Sequence, residues 1–152
     1  MAEIDRDLKK LLGAIFDMTE AETEAYLAAK RRKTHEEMCN KAVEKVENGH
    51  MTEDDEKLIH STLETMRDEA IVNRKKAKAL MDKHFEDESL IRERKWENDS
   101  AALHINAARA YIQEYNETEC WIKLWYIYFR AEQLLKQIRY NAEQLDKLSN
   151  AA

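Results

Sequence analysis

The chain has 152 residues, of which 37% are charged and 43% hydrophobic, and its formal net charge is −6. It contains no proline and only two glycines, so it has almost none of the turn residues that β-rich and α/β folds need at short intervals. This composition excludes a β-rich fold. It predicts one all-α domain over residues 1–152, built from long helices whose outer faces are solvated.

Charge and cysteine usage limit the function classes. A protein whose main partner is a phosphate backbone usually has a basic balance, and this chain is mildly acidic. Cys39 and Cys120 are too few for a disulfide framework, and the N-terminus lacks the pattern of a signal peptide. The longest apolar run, residues 124–129, is far shorter than the roughly 20 residues of a membrane span. We therefore expect a cytoplasmic protein with no membrane segment.

The first predicted helices lie in the N-terminal third of the chain. Apolar residues at three- and four-residue spacing predict a short helix over residues 3–17. Thr19 and Glu22 form a capping box that starts a second helix, over residues 20–47. Asn48-Gly49 ends this helix, because glycine tolerates the backbone conformation that follows a helix.

A third helix is predicted from residue 53, after the weaker start signal of Thr52 with Asp55. It extends to residue 86, or to 97 if Asp87-Glu88-Ser89 does not break it. A heptad pattern of the coiled-coil type runs along this segment. The predicted seam residues are Ile59, Leu63, Met66, Ala70, Asn73, Ala77, Leu80 and His84.

Asn98-Asp99-Ser100 offers three good N-cap residues and predicts a long C-terminal helix over residues 100–149. A second heptad pattern continues through Glu114 and Glu117, which allows one unbroken helix. Alternatively, Asn116 with Glu119 caps a new helix and produces a kink near residue 116. The sequence predicts an elongated antiparallel helical bundle, in which a coiled-coil hairpin of residues 20–47 and 53–86 packs along this C-terminal helix.

Two basic clusters raise nucleic-acid binding as an alternative function. In the predicted hairpin, residues 67–69 face the first cluster, and Glu22 and Glu24 face the second. Charge pairing across a helical seam would explain both clusters, so we expect paired, solvated faces rather than phosphate contacts. These two clusters are Lys30, Arg31, Arg32 and Lys33, and Arg74, Lys75 and Lys76 with Lys78. A third basic cluster, Arg92 with Arg94 and Lys95, lies near Asp5 and Asp7 in the same register and is interpreted in the same way.

The same hairpin register predicts a second alternative, a metal-binding helical bundle. His35 and Cys39 are four residues apart and so share one helical face. The register places Cys39 opposite His60 and His35 opposite Glu64. These four side chains are ligand types that zinc uses, although their spacing matches no zinc motif.

Catalytic and cofactor motifs are not found in the sequence. Gly13 and Gly49 are the only glycines, so no glycine-rich phosphate loop is present. No serine lies in a nucleophile elbow, and no Glu-x-x-His pair of the di-iron type occurs. We therefore predict a protein that is not an enzyme and binds no cofactor.

The strongest functional signal is the aromatic segment, residues 121–129, in which eight of nine residues are apolar or aromatic. A helix that faces one neighbour needs an apolar stripe only about 100° wide. Either this segment belongs to a central helix with neighbours on both sides, or part of it binds another molecule.

We expect Trp121 and Trp125 to pack within the chain, and Tyr126 and Phe129 to face a protein partner or a second copy. These four residues form the predicted partner-binding site. The predicted function is a non-enzymatic interaction module, meaning an adaptor, an inhibitor or an assembly subunit that presents this aromatic face.

Overall fold

A computed structural model describes residues 20–83 and 88–151, so the predicted helix over residues 3–17 and the seam position His84 lie outside the described residues. The all-α prediction is confirmed, because the described residues form four helices and contain no strand. The helices are α1 (Glu20–Glu47), α2 (Glu53–Lys83), α3 (Glu88–Glu117) and α4 (Trp121–Ala151).

The junction between α1 and α2 follows the predicted signals. Gly49 has a φ of 155°, a backbone conformation that side-chain-bearing residues rarely adopt, and it ends α1. The backbone N–H of Asp55 donates to the Thr52 hydroxyl over 3.1 Å, and the Asp55 carboxylate accepts from the Thr52 N–H over 3.0 Å. This reciprocal pair satisfies two N–H groups that lack a partner within the helix and fixes the start of α2.

The predicted helix over residues 100–149 is wrong in its start, because α3 begins at Glu88, whereas the alternative of a break near residue 116 agrees with the end of α3 at Glu117. Asn98-Asp99-Ser100 lies inside α3. The helical turn before it is already part of the packed structure, because Arg94 is fully buried. N-cap residues start a helix only where the chain before them is not helical. The chain leaves the helix at Thr118, whose hydroxyl accepts from the Cys120 N–H over 3.2 Å, and α4 starts at Trp121.

The hairpin of the fold is formed by α2 and α3. The Tyr115 hydroxyl donates to the Glu56 carbonyl over 3.1 Å, and the rings of His60 and Tyr115 lie 5.4 Å apart. Because α2 and α3 follow each other across a short connection and pack along their lengths, they run antiparallel. The predicted hairpin of residues 20–47 with 53–86 is therefore wrong, because α2 pairs with α3 and not with α1.

Helix α4 lies against the α2–α3 hairpin and runs parallel to α2. The Arg139 guanidinium donates two hydrogen bonds to the Glu69 carboxylate, over 3.0 and 3.1 Å. Farther along both helices, Lys76 Nζ lies 3.2 Å from a carboxylate oxygen of Asp146. In both pairs the α4 residue lies 70 positions after its α2 partner. Residue numbers therefore rise in the same direction along the two helices, which makes them parallel.

Helix α1 packs on α4 and makes no backbone approach to α2 or α3 within the described residues. Lys45 of α1 lies over the Trp125 ring, and His50, just after α1, meets Trp121. The reason for the difference from the predicted hairpin lies in α2. All of its described seam residues are buried, as predicted, but α3 and α4 cover them, which leaves no apolar face for α1.

The core lies along the α2–α3–α4 bundle. The second heptad pattern, which begins at Leu103, is wrong on α3, because Leu103 is half exposed while His104 and Ile105 are buried. A single heptad phase cannot continue through the Thr118–Cys120 loop, so α3 and α4 each have their own phase. No described helix is long and apolar enough to cross a lipid bilayer. The buried residues of the main cluster are Ala42, Ile59, Leu63, Met66, Ala70, Ile105, Ala108, Leu124, Trp125, Ile127, Ala131, Leu134, Leu135 and Ile138.

Candidate functional site

The aromatic segment occupies the first turns of α4, where that helix has neighbours on several sides. Helix α4 contacts α1, α2 and α3. Leu124 and Ile127 are 4% and 1% exposed and belong to the main core cluster. The arrangement agrees with the first of the two interpretations, in which helices on both sides flank the segment.

Trp125 is part of the folded core. Its side chain is 4% exposed, and its ring lies 6.1 Å from that of Phe129 in a stacked arrangement and 5.6 Å from that of Tyr128 edge to face. The ammonium group of Lys45, on α1, lies 5.0 Å from the ring centre. The quadrupole of the indole attracts this cation, so Trp125 joins α1 to the bundle.

Phe129 is partly buried by the same helix. Lys41 Nζ lies 5.8 Å from its ring centre, so two lysines one turn apart on α1 extend over two stacked rings of α4. Ala42, between them in sequence, is completely buried. A small residue permits close approach of the two helices, and the aliphatic stems of lysines cover aromatic surface while their charges stay in water.

Tyr126 also faces α1 rather than solvent alone. Its hydroxyl lies 2.7 Å from His35 Nδ1, and the two rings meet edge to face at 5.1 Å. The other ring nitrogen, His35 Nε2, lies 3.5 Å from Cys39 Sγ. Burial raises the pKa of Tyr126, and the thiol of Cys39 raises it further, whereas Arg130 lowers it. The phenol therefore stays neutral at physiological pH.

Trp121 is the most exposed of the four predicted partner-binding residues. It is 37% exposed and makes an edge-to-face contact with the His50 ring at 5.3 Å. The next residue, Ile122, is 41% exposed. Of the four expected positions, Trp125 is buried as expected, whereas Tyr126 and Phe129 contact α1 and Trp121 retains an open side. Ile122 was missed, although its position about 100° from Trp121 around the axis separates it from the seam.

The four predicted metal ligands form two separate pairs. His35 and Cys39 lie together on α1, whereas His60 Nδ1 is 3.0 Å from a Glu64 carboxylate oxygen on α2. Among the described residues, no group of three or more His, Cys, Asp or Glu side chains could hold a metal ion. The predicted convergence depended on α1 facing α2, and those helices do not pack together.

The two basic clusters are exposed on separate helices. Lys30 to Lys33 lie on α1, and Arg74 to Lys76 lie on α2. Because α1 does not pack on α2, the two clusters do not flank a shared seam. The acidic residues assigned to the first cluster have other partners: Asp68 pairs with its neighbour Arg67, and Glu69 with Arg139 on α4.

In comparisons with known proteins, no protein-family model, curated protein or solved structure matches this chain.

Proposed function

We propose that this chain is a non-enzymatic protein-interaction module, an adaptor, inhibitor or assembly subunit, that binds its partner through Trp121 and Ile122. The observation that supports the proposal is the exposure of these two consecutive residues at the start of α4, at 37% and 41%. The helix continues into buried Leu124 and Trp125, so its exposed end is attached to a rigid core.

The chemistry of the pair suits a protein partner. Tryptophan combines a large apolar area with one N–H donor, and it is among the residues that contribute most to interface energetics. The His50 ring restricts the rotamers of Trp121. A side chain that is ordered before binding loses less conformational entropy when the partner covers it.

The surroundings of the pair resemble the rim of an interface. Lys123 forms an ion pair with Glu114 on α3, and Glu119 and Cys120 are exposed just before α4. Charged groups around an apolar anchor set orientation and contribute little to affinity when they remain solvated. The partner is a protein with a complementary apolar pocket, or a second copy of this chain.

The experiment compares two double variants of the full chain. Trp121→Ser with Ile122→Ser removes the proposed anchor. The matched control is Val72→Ser with Leu103→Ser, since those residues are 49% and 48% exposed on α2 and α3. Self-association is measured by light scattering after size-exclusion chromatography, and partner capture by cross-linking in the native host.

The proposal predicts that only the Trp121/Ile122 variant loses association, with both variants keeping the unfolding temperature of the parent within a few degrees. If the two double variants associated equally well with a second copy or with the partner, the result would contradict the proposal. Added salt distinguishes this proposal from nucleic-acid binding. Contacts with nucleic-acid phosphates weaken steeply as the salt concentration rises, whereas binding through an apolar anchor changes little.

A further inference from the structure

Cys39, His35 and Tyr126 form a chain of polar contacts across the junction of α1 and α4. Cys39 Sγ is 3.5 Å from His35 Nε2, and His35 Nδ1 is 2.7 Å from the Tyr126 hydroxyl oxygen. We propose that Cys39 is a nucleophilic thiol, a modification site for small disulfides and other soft electrophiles. His35 is the base that accepts the thiol proton, and Tyr126 positions the imidazole.

Local structure places the thiol and the base together. Residues four apart on an α-helix lie on one face, so α1 holds His35 next to Cys39 without help from the tertiary fold. The thiol is only partly buried and His35 is exposed, so a small reagent can reach the sulfur. The thiolate is the nucleophilic form of cysteine, and an adjacent histidine increases its population.

The tertiary fold adds the third group. With Nδ1–H donating to the Tyr126 oxygen, Nε2 has a free lone pair directed toward the sulfur. After proton transfer, the imidazolium donates one hydrogen bond to the thiolate and one to the phenol oxygen, so both N–H groups keep an acceptor. A nucleophile, a base and a residue that orients the base form the general arrangement of an activated nucleophile.

Several other charged or titratable groups surround these three residues. On α1, Glu36 lies one turn before Cys39. On α4, Arg130 acts on the Tyr126 hydroxyl, and from α3 Tyr111 and Glu114 do so. Glu114 is itself paired with Lys123 of α4, and His35 Nε2, at 3.5 Å, is a base in contact with the sulfur.

The reaction with a disulfide is balanced without an added oxidant or reductant. The Cys39 proton moves to His35 Nε2, and the thiolate attacks one sulfur of the disulfide. A new S–S bond forms at Cys39 as the original one breaks, and the departing thiolate takes the proton from His35. With iodoacetamide, the thiolate forms an S–C bond, the C–I bond breaks and iodide leaves, and His35 releases the thiol proton to water. This modification is stoichiometric and is independent of the proposed partner-binding function.

The second cysteine gives an internal reference in the same molecule. Cys120 is exposed at the start of α4 and also has no disulfide partner. The rates at which iodoacetamide alkylates the two thiols are measured separately, by mass spectrometry of the two cysteine-bearing peptides. The full chain is compared with His35→Gln, Tyr126→Phe and Lys33→Gln, the last being a matched substitution on an exposed part of α1.

We expect His35→Gln to slow alkylation of Cys39 by about tenfold at pH 7, because glutamine cannot accept the thiol proton as histidine does. Cys120 and the Lys33→Gln chain should keep their rates. Tyr126→Phe should slow Cys39 by a smaller factor. Tyr126→Phe should also move the rise of the Cys39 alkylation rate to a higher pH, a change that loss of packing alone would not cause. An unchanged Cys39 rate in His35→Gln, or an equal fall at both cysteines, would overturn the assignment.

Discussion

Replacing Trp125 by alanine tests whether the aromatic segment mainly holds the fold together. Trp125 is 4% exposed, stacks on Phe129 and lies under the Lys45 ammonium. Truncation of a buried tryptophan costs about 3–5 kcal/mol. For a chain of this size, each kcal/mol corresponds to about 2–4 °C in unfolding temperature, so we expect Trp125→Ala to unfold roughly 6–20 °C earlier.

The assay is thermal unfolding followed by far-ultraviolet circular dichroism, with Trp121→Ala as the matched control. Trp121 is 37% exposed and loses fewer contacts on truncation, so its unfolding temperature should fall by less than about 4 °C. If Trp121→Ala destabilised the chain as much as Trp125→Ala, the assignment of one tryptophan to the core and the other to the surface would be wrong.

Two further substitutions test the start of α2 and the polar position within the bundle. The pKa of Asp55 lies below its usual range, first because its carboxylate accepts from the Thr52 N–H. A lowered pKa means that the stabilisation is complete above about pH 4 and is lost as the pH falls through the folded-state value. Asp55→Ala should thus unfold more easily in urea at pH 7, with the difference shrinking as the pH falls through the lowered folded-state pKa of Asp55, and a difference that is constant with pH would contradict this. Asn73 is 2% exposed and donates to the Ile138 carbonyl over 2.9 Å. Asn73→Asp should destabilise the chain more than Asn73→Ala at neutral pH and less on acidification, since a buried carboxylate beside a carbonyl is costly until it is protonated. Equal urea midpoints at both pH values would refute this reasoning.

Local signals in the sequence determined much of the secondary structure. Residues 20–47 form α1 as predicted, because Gly49 can take a φ of 155° after the last turn. The Thr52–Asp55 pair starts α2 at residue 53. The seam residues of α2 from Ile59 onward are buried as predicted. Each of these features depends on residues within one or two helical turns of each other, so a short stretch of sequence is enough to predict it.

Only the tertiary structure decided which helix pairs with which. The predicted hairpin of α1 and α2 would have paired their charged faces, but exposed ion pairs contribute under about 1 kcal/mol each and do not select a partner against larger apolar contacts. Helix α4 has the aromatic surface on which Lys41 and Lys45 of α1 pack. Which helices pack together depends on the apolar area buried over the whole chain, and the sequence of one segment does not give that area.

The same reason explains the outcome for the site residues. The His35–Cys39 pair was visible at four-residue spacing, whereas the contact of His35 with Tyr126 joins positions 91 residues apart. The aromatic segment was recognised from its composition, but which of its rings stay exposed depended on where α1 packs. Spacing along one helix fixes which side chains share a face, and only packing between helices decides whether that face meets water or another helix.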